Sequence, residues 1–216
     1  KRHMNIVFNQ VMPTPLASIN HSAESIWGNK IELKSGERIL LNASSGKGKS
    51  TFTFTSIGLR KDYSGEITYD GVDIKTFSPN DWTPIRQGKM SVIFQDLQLF
   101  PNLSVEDNLI LKNMLQENVT VETLKKQLEF LGIGDKWKQD CGLLSMGQQQ
   151  RVAIVRALSQ PFEWLIMDEP FSHLDKENAQ KCMKLIHERC EELGAGFVLT
   201  SLGDTYDYNY TRELKL

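Results

Sequence analysis

Apolar residues along the chain follow two periodicities, and the change from one to the other lays out the fold. In the first third, Asn5 to Val11, Lys30 to Leu33, Arg38 to Asn42 and Glu66 to Tyr69 are short alternating or continuous apolar runs. Each predicts a strand, the last closed by the turn pair Asp70-Gly71. The middle turns helical: Thr120 predicts an N-cap for a helix whose apolar positions Val121, Leu124, Leu128 and Leu131 share one face before Gly132 stops it. In the last third, Trp164 to Met167 and Phe197 to Thr200 are unbroken apolar runs, as in parallel strands covered on both faces. Between them Ala179, Cys182, Met183, Ile186, Cys190 and Leu193 keep helical spacing up to Gly194. Strand, helix, strand in that order predicts an α/β core, and Glu213 to Leu216 adds a last strand that leaves no room for an accessory C-terminal domain.

Composition narrows the class. With 216 residues, 40% of them hydrophobic, the chain fits one domain with a substantial core. A formal net charge of −2 gives no electrostatic reason to expect nucleic acid or an anionic membrane as the principal ligand. Cys141, Cys182 and Cys190 lack a C-x-x-C spacing, which argues against a zinc site and a disulfide framework and for a reducing cytoplasm. No stretch approaches the roughly 18 apolar residues of a membrane span, so a membrane role is expected only through a partner. Lys1-Arg2-His3 reads as an expression remnant ahead of Met4, with no signal peptide after it.

The chemistry begins after the strand Arg38 to Asn42. Ala43-Ser44-Ser45-Gly46-Lys47-Gly48-Lys49-Ser50-Thr51 leads into a helix predicted over Thr51 to Ile57, the context of a phosphate-binding loop. Glycines let backbone N–H groups close around phosphate oxygens, the helix N-terminus adds partial positive charge, Lys49 reaches the terminal phosphates and the Ser50 hydroxyl ligates Mg²⁺. Ala43 stands where the pattern has its first glycine. Alone, Gly-Lys-Ser/Thr arises by chance in roughly one chain in ten of this length, so companions must decide. One is the buried strand Trp164 to Met167, which ends in Asp168 and Glu169, the form in which a phosphate-loop protein presents a magnesium-side aspartate and a catalytic acid.

A second companion is Leu144-Ser145-Met146-Gly147-Gln148-Gln149-Gln150-Arg151. Ser145 with Gln148 makes a capping box, so a helix starts here and is expected to run to Pro161, with Gly147 leaving its first turn open for an anion. This segment closely resembles the LSGGQ signature of ATP-binding cassette (ABC) ATPases, with Met146 in place of a glycine. Further motifs follow in the family's order from about Asn5 to the end. Val92-Ile93-Phe94-Gln95 looks like the Q-loop, Phe171-Ser172-His173-Leu174-Asp175 like the D-loop, and Gly65-Glu66-Ile67 with Asp70-Gly71 like the strand pair between them and the phosphate loop.

The resemblance implies a single domain over residues 5–216: a P-loop NTPase core with a mainly parallel sheet, an N-terminal antiparallel β-subdomain and a helical subdomain inserted at about 96–160. It implies that Ser45 to Thr51 hold the phosphates of ATP, that Ser50 and Gln95 ligate Mg²⁺, that Asp168 supports the metal through water, and that Glu169 polarises the attacking water. Ser145, Gly147, Gln148 and Asp175 are implied to act across a dimer interface, on nucleotide bound by a second cassette. The segment Leu97, Leu99, Phe100 and Pro101 would meet a transmembrane permease, or simply pack the helical subdomain.

Two departures stand out. The family stacks an aromatic residue on adenine upstream of the P-loop, yet His21 is the only ring between Phe8 and Trp27, and Trp27 is expected to pack in the N-terminal sheet. Ser201 stands where the family has its switch histidine; it donates one hydrogen bond but lacks the charge and reach of an imidazole. The expectation is an ATPase subunit at the inner face of a membrane, resembling the small cassettes of lipoprotein-release and cell-division systems. The rivals are a soluble ABC ATPase without a permease and a slowly hydrolysing ATP-gated module.

Overall fold

The computed structural model describes residues 4–44, 46–115 and 119–216; the three residues expected to be an expression remnant, and Ser45 of the phosphate loop, lie outside the described residues. In chain order the strands are β1 (Ile6–Pro13), β2 (Lys30–Leu33), β3 (Arg38–Asn42), β4 (Tyr63–Tyr69), β5 (Val72–Asp73), β6 (Met90–Ile93), β7 (Trp164–Asp168), β8 (Gly196–Ser201) and β9 (Arg212–Lys215). The helices are α1 (Lys49–Ser56), α2 (Pro79–Gly88), α3 (Val105–Asn113), α4 (Val121–Phe130), α5 (Met146–Leu158) and α6 (Lys176–Leu193).

The strands divide into two sheets. One is antiparallel, in the order β2-β1-β4-β5; the other has five strands in the order β6-β7-β8-β3-β9, every pair parallel. Its central strands are buried on both faces, which is why they read as unbroken apolar runs. Period-two alternation still sorts their side chains. Leu40, Leu165, Met167, Phe197 and Leu199 enter a core shared with the helices α3 to α6. Ile39, Leu41, Trp164, Ile166 and Val198 enter a second core with the antiparallel sheet, α1 and α2. Each such side chain contributes about 1.5–3 kcal/mol by burial, so a one-residue slip that exchanged the two faces is strongly disfavoured.

Local signals set most element ends. Thr120 caps α4 by accepting from the Thr123 N–H at 3.1 Å, and Leu124, Leu128 and Leu131 are fully buried. Val121 is not part of that face: as the first residue of the helix it is 43% exposed. α5 stops at Leu158, three residues short of Pro161, with Ser159 as C-cap. The three cysteines are free and buried, and burial pushes the thiol of Cys141 up to about 11 and those of Cys182 and Cys190 up to about 12, in keeping with a structural role.

α3, α4 and α5 form the helical insertion, and a buried asparagine ties it to the chain leaving β6. Asn108 accepts from the Phe100 N–H at 2.8 Å and donates to the Phe100 and Ser104 carbonyls, each at 3.0 Å. Asn108→Leu keeps the size of the side chain but orphans these backbone groups, and we expect it to lower unfolding free energy by about 2–3 kcal/mol. Urea denaturation measures this; an unchanged midpoint would mean that the bonds add nothing.

Candidate functional site

The catalytic chemistry expected from the sequence gathers at the C-terminal edge of the parallel sheet. β3 delivers the phosphate loop, β7 the two carboxylates and β6 the glutamine, because parallel strands all end on the same side. Ala43 is buried, and its N–H donates to the Ser201 carbonyl at 3.1 Å, which fixes the loop's first residue to the end of β8. Gly48 caps α1 with φ of 100°, a conformation that L side chains rarely adopt, and a Cβ there would come within 2.5 Å of Leu16. Trp27 packs in the N-terminal core with Phe52, and its indole N–H also reaches the Lys47 carbonyl at 3.4 Å. The Lys47 ammonium donates to the Asn20 carbonyl at 3.0 Å, so residues 16–21 flank the loop. Within that flank the His21 Nε2 lies 2.9 Å from the Leu16 carbonyl, which pins the imidazole edge to the backbone.

The P-loop lysine and the second carboxylate meet. Lys49 Nζ lies 3.2 Å from Glu169 Oε1, and the two side chains are only 8% and 16% exposed. Glu169 has φ of 46°, an unusual value for a residue with a side chain, placed where β7 ends. Ser50 Oγ lies 3.3 Å from Gln95 Oε1, so hydroxyl and amide converge although 45 residues separate them. Asp168 is buried beside them and accepts from the Thr200 hydroxyl at 2.9 Å. A hydroxyl, an amide oxygen and a buried carboxylate form an all-oxygen set, the donor chemistry that suits Mg²⁺.

Ser201 is placed beside the site, but its hydroxyl is not offered to it. It donates to the Asp204 carbonyl at 2.7 Å and accepts from the Gly203 N–H at 3.2 Å, closing the turn that follows β8. The one hydrogen bond expected of this serine is thus made to its own backbone. A serine is short enough to bond its own backbone two and three residues on, and here it does so.

The signature residues stand apart from the P-loop. Ser145 and Gln148 form the capping box, with bonds of 2.9 Å and 3.3 Å. Gly147 does not leave the helix start open as expected: a Cβ there would lie 2.8 Å from the His173 carbonyl, so the D-loop backbone occupies that space. The buried Gln150 holds the contact, donating to the Ser172 hydroxyl at 2.8 Å and accepting from the His173 N–H at 2.9 Å. Asp175 caps α6 by accepting from the Asn178 N–H at 2.8 Å. Among the described residues, Ser145, Gly147, Gln148 and Asp175 share no hydrogen bond with the P-loop.

Sequence reasoning missed Gln150, Thr200 and Arg156. The last donates to the carbonyls of Gln98 and Leu97 at 2.7 and 2.6 Å, holding two residues whose φ values of 51° and 63° are both left-handed. A buried polar residue inside an apolar run was the available signal for Thr200.

The model of the ABC transporter family matches residues 28–172, which contain the P-loop, Q-loop, signature and carboxylates. The chain belongs to that family. The cassette is 36% identical to the lipoprotein-releasing system ATP-binding protein LolD of Buchnera aphidicola over 178 residues, 80% of this chain and 78% of the relative. Among solved structures it resembles the dimeric bacterial ABC transporter cassette MJ0796, with a TM-score of 0.79 and 27% identity over 97% of this chain and 94% of that one. It also matches the ADP- and phosphate-bound post-hydrolysis dimer of the same cassette, with a TM-score of 0.74 and 28% identity over 92% and 88% of the two chains.

Burial raises the carboxyl of Asp168 above its ordinary value; the Ser50 and Thr200 hydroxyls oppose this, the Glu169 charge adds to it and the Lys49 charge opposes it. An acid raised on folding favours the folded state fully below its unfolded value, and this contribution is lost as pH rises through the folded value. The ionised form is therefore the destabilising one, and nucleotide-free Asp168→Asn is expected to melt above the parent at about pH 7.5, the gap closing towards about pH 4. Thermal melts at the two pH values check this, and equal melting temperatures at the higher pH contradict it.

Proposed function

We propose that the cassette binds and hydrolyses ATP at sites shared between two subunits, and that the closing of this dimer drives a membrane permease. One observation carries the reading: Lys49, Ser50, Gln95, Asp168 and Glu169 converge on one edge, while Ser145, Gly147 and Gln148 begin α5 against the D-loop and, among the described residues, share no hydrogen bond with the P-loop. A phosphate held by the first set needs a second chain to bring the signature helix to it.

In this mechanism Ser45 to Thr51 hold the phosphates and Lys49 turns from Glu169 to the terminal phosphate. Glu169, released from that ion pair, accepts a proton from the attacking water. Ser50 and Gln95, with Asp168 beside them, would hold magnesium, which would supply charge neutralisation at the phosphate oxygens. Closure does work on a partner only if ATP binds the closed dimer better than the open one. Asp175 would lie near the partner's nucleotide, and His21 is the candidate beside adenine.

An open groove of about 580 Å³ supports a permease partner. Phe94, Phe100, Leu111 and Leu115 line it, and three of them are about half exposed: Phe100 55%, Leu111 49% and Leu115 51%. Leu97 of the same segment is buried and Leu99 half-buried, so Phe100 and Pro101 are the residues offered to a partner. Among the described residues no helix is long and apolar enough to cross a membrane, and attachment at the inner face through that groove fits the reading. Lipoproteins are the first cargo to test, given the relative that releases them. The tied hydroxyl of Ser201 favours a second reading, a slowly hydrolysing ATP-gated module.

Lys49→Ala is expected to abolish ATP binding. Glu169→Gln is expected to bind ATP more tightly, because Lys49 loses its competitor, and to turn over about 100-fold or more slowly. Its Mg-ATP complex should elute as a dimer in size-exclusion chromatography with light scattering. Normal affinity in the lysine variant refutes the phosphate site, and a persistent monomer in the glutamine variant refutes the homodimer.

A further inference from the structure

The β7–β8 ladder ends with Asp168 opposite Thr200. Beyond that pair Glu169 turns into the left-handed region, and its N–H donates to Thr200 Oγ1 at 3.1 Å. The same hydroxyl donates to Asp168 Oδ1 at 2.9 Å. These two bonds fix the direction of the hydroxyl proton. An amide N–H cannot accept, so the oxygen lone pair faces Glu169 and the single proton faces the carboxylate. Thr200 is fully buried, and the bonds complete a closed bridge between two consecutive residues and the neighbouring strand.

We propose that Thr200 is a positioning residue for hydrolysis, setting the Asp168 carboxylate and the Glu169 backbone with one hydroxyl. It touches no substrate. Its effect passes through the two carboxylates, so the inference rests on the roles assigned to them above. The consequence is geometric: Glu169 reaches Lys49 from a backbone turn that the ladder does not hold, and the Thr200 oxygen is the acceptor that holds it. Without that acceptor the turn relaxes and the Glu169 carboxylate loses its aim at the water, while the P-loop and its phosphate contacts keep theirs.

The test compares Thr200→Val, which keeps shape and β-branching but has no hydroxyl, with Thr200→Ser, which keeps the hydroxyl. Valine is expected to lower kcat for Mg-ATP by about tenfold or more with KM changed less than about threefold, and serine to restore kcat to within about threefold. Hydrogen exchange of the Glu169 amide in the nucleotide-free protein reads the bond itself. It is expected to be slow in the parent and the serine variant, and at least about tenfold faster in the valine variant. A valine variant with parental kcat, or a serine variant as slow as valine, overturns the proposal. Rapid exchange in the parent overturns it even if the valine variant does not fold. If the parent shows no ATP turnover while Glu169 exchange follows the expected pattern, the fault lies with the ATPase reading and the bridge stands.

Discussion

The register of the parallel sheet is the constraint on which the site depends. Asp168 pairs with Thr200, and Asn42 with Ser201, so β7, β8 and β3 end within one residue of each other. Site residues bond across that edge, as Thr200 does to Asp168. The level itself follows from the cores on either face, where Leu40 packs with the helices while Ile39 and Leu41 pack with the antiparallel sheet. A slip of one residue exchanges the faces of an entire strand, so hydrophobic packing far from the nucleotide edge decides which carboxylate sits beside Ser50. The apolar runs thus act on function directly: they are the ruler against which the chemistry is placed.

On that edge, charge is arranged by proximity and burial together. Lys49 and Glu169 are mostly shielded from water and pair with each other, which makes both tolerable before nucleotide arrives. Asp168 has no such cation in contact and relies on hydroxyls, so burial sets the direction of its shift. The signature helix and the D-loop are tied to each other by hydrogen bonds and close packing. Gln150 binds the D-loop with both ends of its amide, and the space at Gly147 is filled by the His173 carbonyl. Asp175 follows the D-loop in the chain and caps α6.

Much of this was legible in the sequence because it is local. Alternation gave the antiparallel strands, unbroken apolar runs gave β7 and β8, and Ser145 with Gln148 announced the helix of the signature from residues three apart. The contacts that remained hidden span long separations: Gln150 to Ser172 is 22 residues, Thr200 to Asp168 is 32 and Arg156 to Leu97 is 59. No periodicity encodes such pairs, since they depend on which strands become neighbours. Gly147 shows the same limit. Its place in a first helical turn suggested an open anion site, whereas the reason for a residue without a side chain lies in the D-loop, 26 positions on.

The switch position joins these arguments. Ser201 gives its carbonyl to Ala43 and its hydroxyl to the turn at Asp204, so both polar groups serve the fold. The chain that follows is held as well, with the Tyr206 ring edge-on against Phe171 at 4.9 Å and Lys176 paired to Asp207 at 2.7 Å. A histidine would add a mobile positive charge at the terminal phosphate; this loop is instead braced against the core. Under the proposed function, positive potential there must come from Lys49, from magnesium and from the N-terminus of the partner's signature helix. Only the last of these depends on dimer closure, so in the proposed mechanism closure supplies what an imidazole would otherwise add.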